Sequence, residues 1–397
     1  MAEFRTLDDL EANGRTVIAR VDLNVPVEDG NISDFTRIDR ILPTLNELSQ
    51  KGAKVLLLSH FGRPKGKVVP DMSLRPIADG LAAHLKRPVT FIDDCIGDSV
   101  TNALARAEAG DILLAENVRF HAGEEKNDAA FAKALAAAGD IYVNDAFSCS
   151  HRAHASTEAI AHILPAYAGR NMEAELTALA QALEKPARPV MAIVGGAKIS
   201  SKLDLLFNLI EKVDVLLIGG GMANTFLNAR GVNVGASLCE HDLAETASQI
   251  LEKAEKVGCE ILLPDHVVLA KEFKAGAANR AAPVGEVAAD EMILDVAPQS
   301  VAAITSRLAG IKTLIWNGPL GAFEIDPFGD GTFAVAREVE RLTKAGSLIS
   351  VAGGGDTVSA LARAGVTDSL TYISTAGGAF LEWMEGKTLP GVAALAR

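Results

Sequence analysis

Ser347–Ala360 reads SLISVAGGGDTVSA. Leu348–Val351 is a short apolar run with branched residues, the pattern of a buried strand. Gly353–Gly355 follow, and Asp356-Thr357 opens a helical pattern that continues through Val358, Leu361 and Ala362. A strand, a glycine turn and a helix start together present free backbone N–H groups to an anion. Asp356 has two readings here. It is either the N-cap of the helix or a carboxylate held beside a metal-bound phosphate.

Outward from this stretch the same arrangement recurs. Apolar runs end in polar or glycine residues at Val17–Val25, Val55–His60, Val89–Asp93, Ile112–Asn117, Ile141–Asp145, Val190–Gly196, Val215–Gly221, Ile261–Asp265, Thr313–Gly318, Leu348–Gly355 and Tyr372–Thr375. Most are separated by enough chain for a crossover helix. The pattern predicts an α/β protein of parallel sheets buried on both faces. Ligands then belong outside the carboxyl ends of the strands.

A chain of 397 residues is too long for one core, so two domains are expected. At 49% hydrophobic and 5% aromatic, it can build large aliphatic cores. No apolar run reaches the length of a membrane span. The N-terminus, MAEFRTLDDLEANG, has no apolar stretch behind a basic start, so a cytoplasmic location is expected rather than secretion. Cys95, Cys149, Cys239 and Cys259 are scattered without a C-x-x-C, against a disulfide framework and a zinc site alike. A net charge of −13 disfavours nucleic acid and anionic membrane as partners.

Basic residues are nonetheless placed locally in the first half. Arg20, Asp22 and Asn24 alternate in RVDLNVP and should point to one side of a strand or its end. SDFTRI signals a helix start, with Ser33 or Asp34 as cap and Arg37 in the first turns. His60, Arg63, Asn117, Arg119 and Arg152 lie at or beyond strand ends. Guanidinium groups bind phosphate and carboxylate bidentately, so Arg37, Arg63, Arg119 and Arg152 together suggest a small, multiply charged anion. His151 and His154 have no third partner at metal-ligand spacing. Cys149 near His151 is weak grounds for a thiol nucleophile.

Met172, Leu176, Leu179 and Leu183 mark one helical face, and Lys185–Pro189 breaks the helix. The expected organisation is therefore 1–170, a connecting helix and hinge over 171–189, and 190–379. In the second half Gly195-Gly196 is followed by Lys198 and Lys202, four apart and expected on one face of a helix. GGGMANTF and WNGPLGAFE repeat the glycine turn, the latter carrying Asn317 and Glu324. Neither a P-loop nor a G-x-G-x-x-G turn is present, since Leu381 and Asn224 stand where glycines are required. This argues against a nicotinamide-dependent dehydrogenase.

RVDLNVP, DFTRI, SHFGRPKGK, ENVRFH, NDAFSCSHRAHAS, VGGAKISSK, GGGMANTF, WNGPLGAFE, GGGDTV and STAGGAFLE, in this order from about Arg20 to the C-terminus, resemble the phosphoglycerate kinase family. The resemblance implies two doubly wound, Rossmann-like domains joined by a helical hinge, with a tail from about 380 to 397 packed back on the first. It implies a monomer that transfers a phosphoryl group reversibly between 1,3-bisphosphoglycerate and Mg-ADP, giving 3-phosphoglycerate and ATP. By motif match, Asp22, Leu23, Asn24, Arg37, His60, Phe61, Gly62, Arg63, Arg119 and Arg152 would bind the phosphoglycerate. Lys198, Lys202, Gly220, Asn317, Glu324, Gly353, Gly354, Gly355, Asp356 and Thr357 would serve the nucleotide, with Asp356 toward Mg2+. Arg37, Lys198, Gly354 and Gly377 would act on the transferring group. One departure is Ala376, where the family commonly has glycine. It would matter only if position 376 needs a positive φ or bare backbone.

Overall fold

The computed structural model describes residues 4–28 and 30–396. Met1–Glu3, which open the N-terminal stretch read above, Asp29 and Arg397 lie outside the described residues. The chain divides into two units, Met1–Thr177 with Thr388–Arg397, and Ala178–Lys387. The division falls within the helix and turn Arg170–Glu184, whose Met172, Leu176, Leu179 and Leu183 are all buried.

The first unit contains β1 (Thr16–Arg20), a short hairpin of β2 (Val27–Glu28) and β3 (Asn31–Ile32), β4 (Lys54–Leu58), β5 (Thr90–Ile92), β6 (Ile112–Ala115), β7 (Ile141–Asn144) and β8 (Ala166–Ala168). All but the hairpin form one six-stranded sheet in the order β5-β6-β4-β1-β7-β8, with every pairing parallel. Their near-continuous burial is what helices on both faces demand. Leu45 and Leu48 of helix Thr36–Gln50 and Ile77 and Leu81 of helix Arg75–Leu85 seal one face. From β1 the chain proceeds to β4 on one side and later reaches β7 on the other. The strand order therefore reverses at β1/β7, and the loops after these strands diverge into a crevice.

The tail joins this unit later than expected. Gly391 N–H donates to the Ser150 carbonyl at 2.9 Å, and Ala396 bridges to Phe4. Residues 380–387, expected with the tail, belong to the second unit. Phe380 and Met384 are fully buried, and Asn208 Nδ2 donates to the Met384 carbonyl.

The second unit carries β9 (Val190–Val194), β10 (Val215–Ile218), β11 (Glu260–Leu262), β12 (His266–Ala270), β13 (Asn279–Pro283), β14 (Met292–Val296), β15 (Thr313–Asn317), β16 (Ile349–Gly353) and β17 (Tyr372–Ser374). Its parallel sheet has the order β11-β10-β9-β15-β16-β17, the doubly wound arrangement with its reversal at β9/β15. Each apolar run identified in the sequence contains a strand of one of the two parallel sheets. The antiparallel wing β13-β12-β14 was not among them. Its β12 and β14 are apolar but do not end in glycine turns, and β13, NRAAP, is largely exposed.

Candidate functional site

In the first unit the loops beyond β1, β4, β6 and β7 interlock. Arg37, in the first turn of helix Thr36–Gln50, donates from Nη1 to Asp22 Oδ2 at 2.8 Å and to the Asn24 carbonyl at 3.0 Å. Ser148 Oγ donates to the same Asp22 oxygen across the β1/β7 crevice. Burial opposes ionisation of Asp22, yet its surroundings hold the carboxyl below its usual range, with His60, Arg37, Ser148 and the Asn24 N–H on that side of the balance. Asn24 Oδ1 accepts from the Gly62 N–H at 2.9 Å, and Arg119 Nη1 donates to the Gly62 carbonyl at 2.8 Å. Arg119 Nε is buried with no hydrogen-bond partner. Asp22, Asn24, Arg37, Gly62 and Arg119 thus form one hydrogen-bonded group. His60 sits beside it, buried, with Nδ1 3.1 Å from Arg20 Nη2.

Arg63 and Arg152 are exposed, and no hydrogen bond or ion pair of either side chain joins them to this group. Leu23 and Phe61 turn their side chains to the core. The Leu23 side chain is in the core, its N–H is bonded to Ser59 Oγ at 2.9 Å, and its carbonyl accepts from Val25. The Phe61 ring packs against the same core, and its carbonyl accepts from Asn117 Nδ2 at 2.7 Å. Both residues brace the loops beyond β1 and β4. Arg20 is 1% exposed, with Nε donating to Ser156 Oγ and Nη2 reaching His60 and Cys149, the two residues whose ligating atoms also lie near Asp22.

In the second unit the β9/β15 reversal holds a lysine. Lys202 Nζ donates to the Gly195 carbonyl and to Asn317 Oδ1, each at 2.6 Å. Burial lowers its pKa to about 8, with Asp356 pulling the other way. Lys198 and Lys202 do not share a helical face. They flank the short turn Ile199–Ser201, which leaves Lys198 exposed and Lys202 largely covered. Asn317 Nδ2 donates to the Gly353 carbonyl at 2.9 Å, and Thr357 Oγ1 accepts from the Gly318 N–H at 2.7 Å. The end of β15 is thereby tied to the turn after β16.

That turn rules out one of the two readings of Asp356. Gly354, at φ +96°, occupies the N-cap position and the helix runs from Gly355 to Ala364, so Asp356 is not the cap. A side chain at 354 would strain the backbone and place its Cβ 2.7 Å from Asn317 Nδ2. Asp356 is exposed in the first helical turn, with no hydrogen bond or ion pair to a described residue. Ala376 has φ −97°, which alanine adopts without strain, and Gly377 and Gly378 open helix Gly377–Met384.

A cavity of about 560 Å³ lies in this unit, lined by Gly196, Gly220, Leu294, Asp295, Glu324 and Asp356 among others. Gly220 is required there, since its φ is +65° and a Cβ would sit 2.7 Å from the Gly196 carbonyl oxygen. Phe273 and Leu238, 60% and 50% exposed, also line it. Sequence reasoning missed both, together with Met292–Val296, because these residues belong to or adjoin the unrecognised antiparallel wing. Exposed large apolar side chains beside a glycine-lined cavity become visible as a signal only once the fold is known.

Among the described residues, two groups have metal-ligating atoms within 4.8 Å of one another, Asp22 with His60 and Cys149, and Asp94 with Cys95 and His121. Arg20, Arg37 and Arg119 surround the first, which favours an anion there. In the second, Asp94 Oδ1 already accepts from His121 Nε2 at 2.7 Å and from the Cys95 N–H at 2.6 Å, and burial pushes the thiol well above its usual range. Asp356 is different. An unpartnered carboxylate on the wall of a cavity suits Mg2+, which takes one or two carboxylates and completes its shell with phosphate and water oxygens.

Two doubly wound units, one with clustered guanidinium groups and the other with a glycine-lined cavity, a lysine and a free carboxylate, define an α/β phosphotransferase. The family model described as phosphoglycerate kinase matches residues 7–387. The chain belongs to the phosphoglycerate kinase family, whose activity is phosphoryl transfer with a carboxyl acceptor. It is 62% identical over 396 residues to the phosphoglycerate kinase of Rhizobium leguminosarum, covering 100% of this chain and 99% of that one. It is 60% identical to that of Xanthobacter autotrophicus, with 100% of each covered. The solved structure of phosphoglycerate kinase from Coxiella burnetii matches with a TM-score of 0.93 at 42% identity, covering 100% of both chains. That from Pyrococcus horikoshii matches at 0.81 and 30%, covering 99% and 98%.

Proposed function

We propose that the two units divide the reaction. The first binds 3-phosphoglycerate or 1,3-bisphosphoglycerate, with Asp22, Asn24, Arg37, His60, Gly62, Arg63, Arg119 and Arg152 as its ligands or their supports. The second binds ADP or ATP, with Lys198, Lys202, Gly220, Asn317, Glu324, Gly353–Gly355, Asp356 and Thr357. The observation that carries this reading is Lys202 Nζ bridging the ends of β9 and β15 beside Asp356, at the strand-order reversal of a doubly wound sheet.

In the direction of ATP use, the nucleophile is the substrate carboxylate, which is already ionised and needs no general base. The chain's task is then positioning and charge neutralisation. Arg37 and Lys198 supply positive charge toward the moving group. The N–H groups that open the helices at Gly355 and Gly377 serve its oxygens, and Gly354 admits the approach. Asp356 would hold Mg2+, which when bound neutralises charge on the nucleotide phosphates.

Reacting atoms must come within about 3–3.5 Å of each other. Turnover therefore requires the units to close on one another, with Lys185–Pro189 and Thr375–Gly378 among the flexing segments. A radius of gyration in solution scattering that is the same with no ligand, either ligand and both would refute closure. The working form is a monomer in the cytoplasm acting on small molecules. No helix among the described residues is long and apolar enough to cross a membrane.

The direct test is a coupled assay for ATP formed from ADP and 1,3-bisphosphoglycerate, run beside Arg37→Ala. Loss of one charge clamp should raise the barrier by about 3 kcal/mol, near a hundredfold in kcat. Near-normal kcat in a folded variant would remove Arg37 from the mechanism.

A further inference from the structure

The most heavily buried cation near the phosphoglycerate residues is Arg20, at the end of β1. Nothing in its surroundings lets it reach a ligand. It is 1% exposed. Its Nε donates to Ser156 Oγ at 2.9 Å and its Nη1 to the Val21 carbonyl. Ser156 is itself gripped by Glu124, which accepts from the hydroxyl at 2.6 Å and from the N–H at 2.9 Å. Glu124 is fully buried and balances the guanidinium charge. The remaining arm, Nη2, points at His60 Nδ1, 3.1 Å away.

This contact has one chemical solution. A guanidinium carries only N–H donors and does not lose its proton in a protein. His60 Nδ1 must therefore accept, so its lone pair is free and its proton resides on Nε2. The charged groups facing His60 agree. They are Arg20 from β1, Asp22 from the loop after it, Arg37 from the following helix and Arg119 from beyond β6. The Cys149 thiol, from beyond β7, lies with Sγ 3.8 Å from Nδ1. The only anion among them, Asp22, is engaged by Arg37. Burial and three cations oppose an imidazolium.

We infer that Arg20 is a positioning residue that locks His60 as the neutral imidazole protonated on Nε2. His60 then offers the phosphoglycerate an N–H donor and no charge. No described residue is hydrogen-bonded to Nε2, which leaves that donor for an oxygen of the ligand. The surrounding arginines supply charge. His60 supplies direction, selecting a ligand that carries an acceptor at one point. The inference rests on the first unit being the phosphoglycerate site, but the tautomer can be read without any ligand.

The experiment is NMR of the free, full-length enzyme with ring-15N histidine, His60 being assigned by the signal missing from His60→Gln. The expected spectrum has an unprotonated Nδ1 and a protonated Nε2, unchanged from about pH 5.5 to 8.5, a window that spans the ordinary histidine pKa. A proton on Nδ1, or titration within that window, overturns the inference. In Arg20→Met, His60 should begin to titrate or to mix tautomers, and an unchanged His60 spectrum in a folded variant overturns Arg20's role. Should Arg20→Met fail to fold, two His60 variants keep the test open. The Gln amide nitrogen stands near Nε2 and that of Asn near Nδ1. His60→Gln should therefore retain at least about tenfold more kcat/KM for 3-phosphoglycerate than His60→Asn. Equal losses would overturn the donor assignment. Failure of wild-type enzyme to use 3-phosphoglycerate at all would sink the site reading while leaving the tautomer result intact.

Discussion

Asp145→Asn should change how the first unit's stability depends on pH while leaving its packing nearly unchanged. Asp145 follows β7 and is fully buried. Its Oδ1 accepts from the Met172 N–H at 3.0 Å, in the first turn of helix Arg170–Leu179. Its Oδ2 is buried with no hydrogen-bond partner. Burial is the main influence and pushes the carboxyl up to about 7, against the Met172 N–H, the Thr44 hydroxyl and the Asn171 N–H. A group whose folded pKa is raised contributes stability that is fully present below its unfolded pKa and is lost as pH rises through the folded one. Here that window runs from the ordinary 3.8 to about 7. At about 1.4 kcal/mol per pKa step, the contribution lost across it is at most about 4 kcal/mol. Asparagine keeps the Oδ1 acceptor and has no proton to lose. Relative to wild type, Asp145→Asn should therefore be more stable at pH 8 than at pH 5 by up to about 2.7 kcal/mol, the share of that loss that falls between pH 5 and the folded pKa of about 7. Trp316 and Trp383 both lie in the other unit, so tryptophan fluorescence is the wrong probe. Amide hydrogen exchange in β7 and residues 170–179, corrected for intrinsic exchange, reads the right segment. The same pH dependence in both proteins would refute the assignment of a buried, proton-holding carboxyl.

Asp356→Ala should weaken Mg-ADP binding by at least about tenfold, or 1.4 kcal/mol, with 3-phosphoglycerate affinity unchanged. Because Gly354 holds the cap position, stability should stay within about 0.5 kcal/mol of wild type. Calorimetric titration of both ligands distinguishes this from a general loss of folding. Lys202 carries its charge below about pH 8 and loses it above. KM for ADP should therefore rise between pH 7.5 and 9 by a factor on the order of ten, and Lys202→Arg should flatten the rise. A rise that is identical in the arginine variant would assign the dependence to another group.

Much of this protein was legible in one dimension because both sheets are parallel. A parallel strand is buried on both faces, so it appears as an apolar run, and its ligand-facing end appears as the polar or glycine residue that stops the run. Arg119, Asn317 and Gly353–Gly355 could be picked out on that basis, Arg37 from a helix-start signal and Lys202 from the glycine turn before it. The antiparallel wing could not, and with it went the Phe273 and Met292–Val296 side of the cavity, since its apolar β12 and β14 do not end in glycine turns and β13 is largely exposed. The direction of each side chain was also beyond the sequence. Arg20 and Arg37 look equivalent as arginines beside a strand and a helix start, yet Arg20 is locked inward by Ser156 and Glu124, more than a hundred residues away, and Arg37 faces Asp22 at the crevice. Lys198 and Lys202 separate in the same way, because a short turn replaces the expected helix between them. Local pattern determined where the strands and their functional ends lie. Burial, counter-charge and the hydrogen bonds of distant segments decided which of those end residues can reach a ligand and in which protonation state. Those quantities exist only once the chain has closed upon itself.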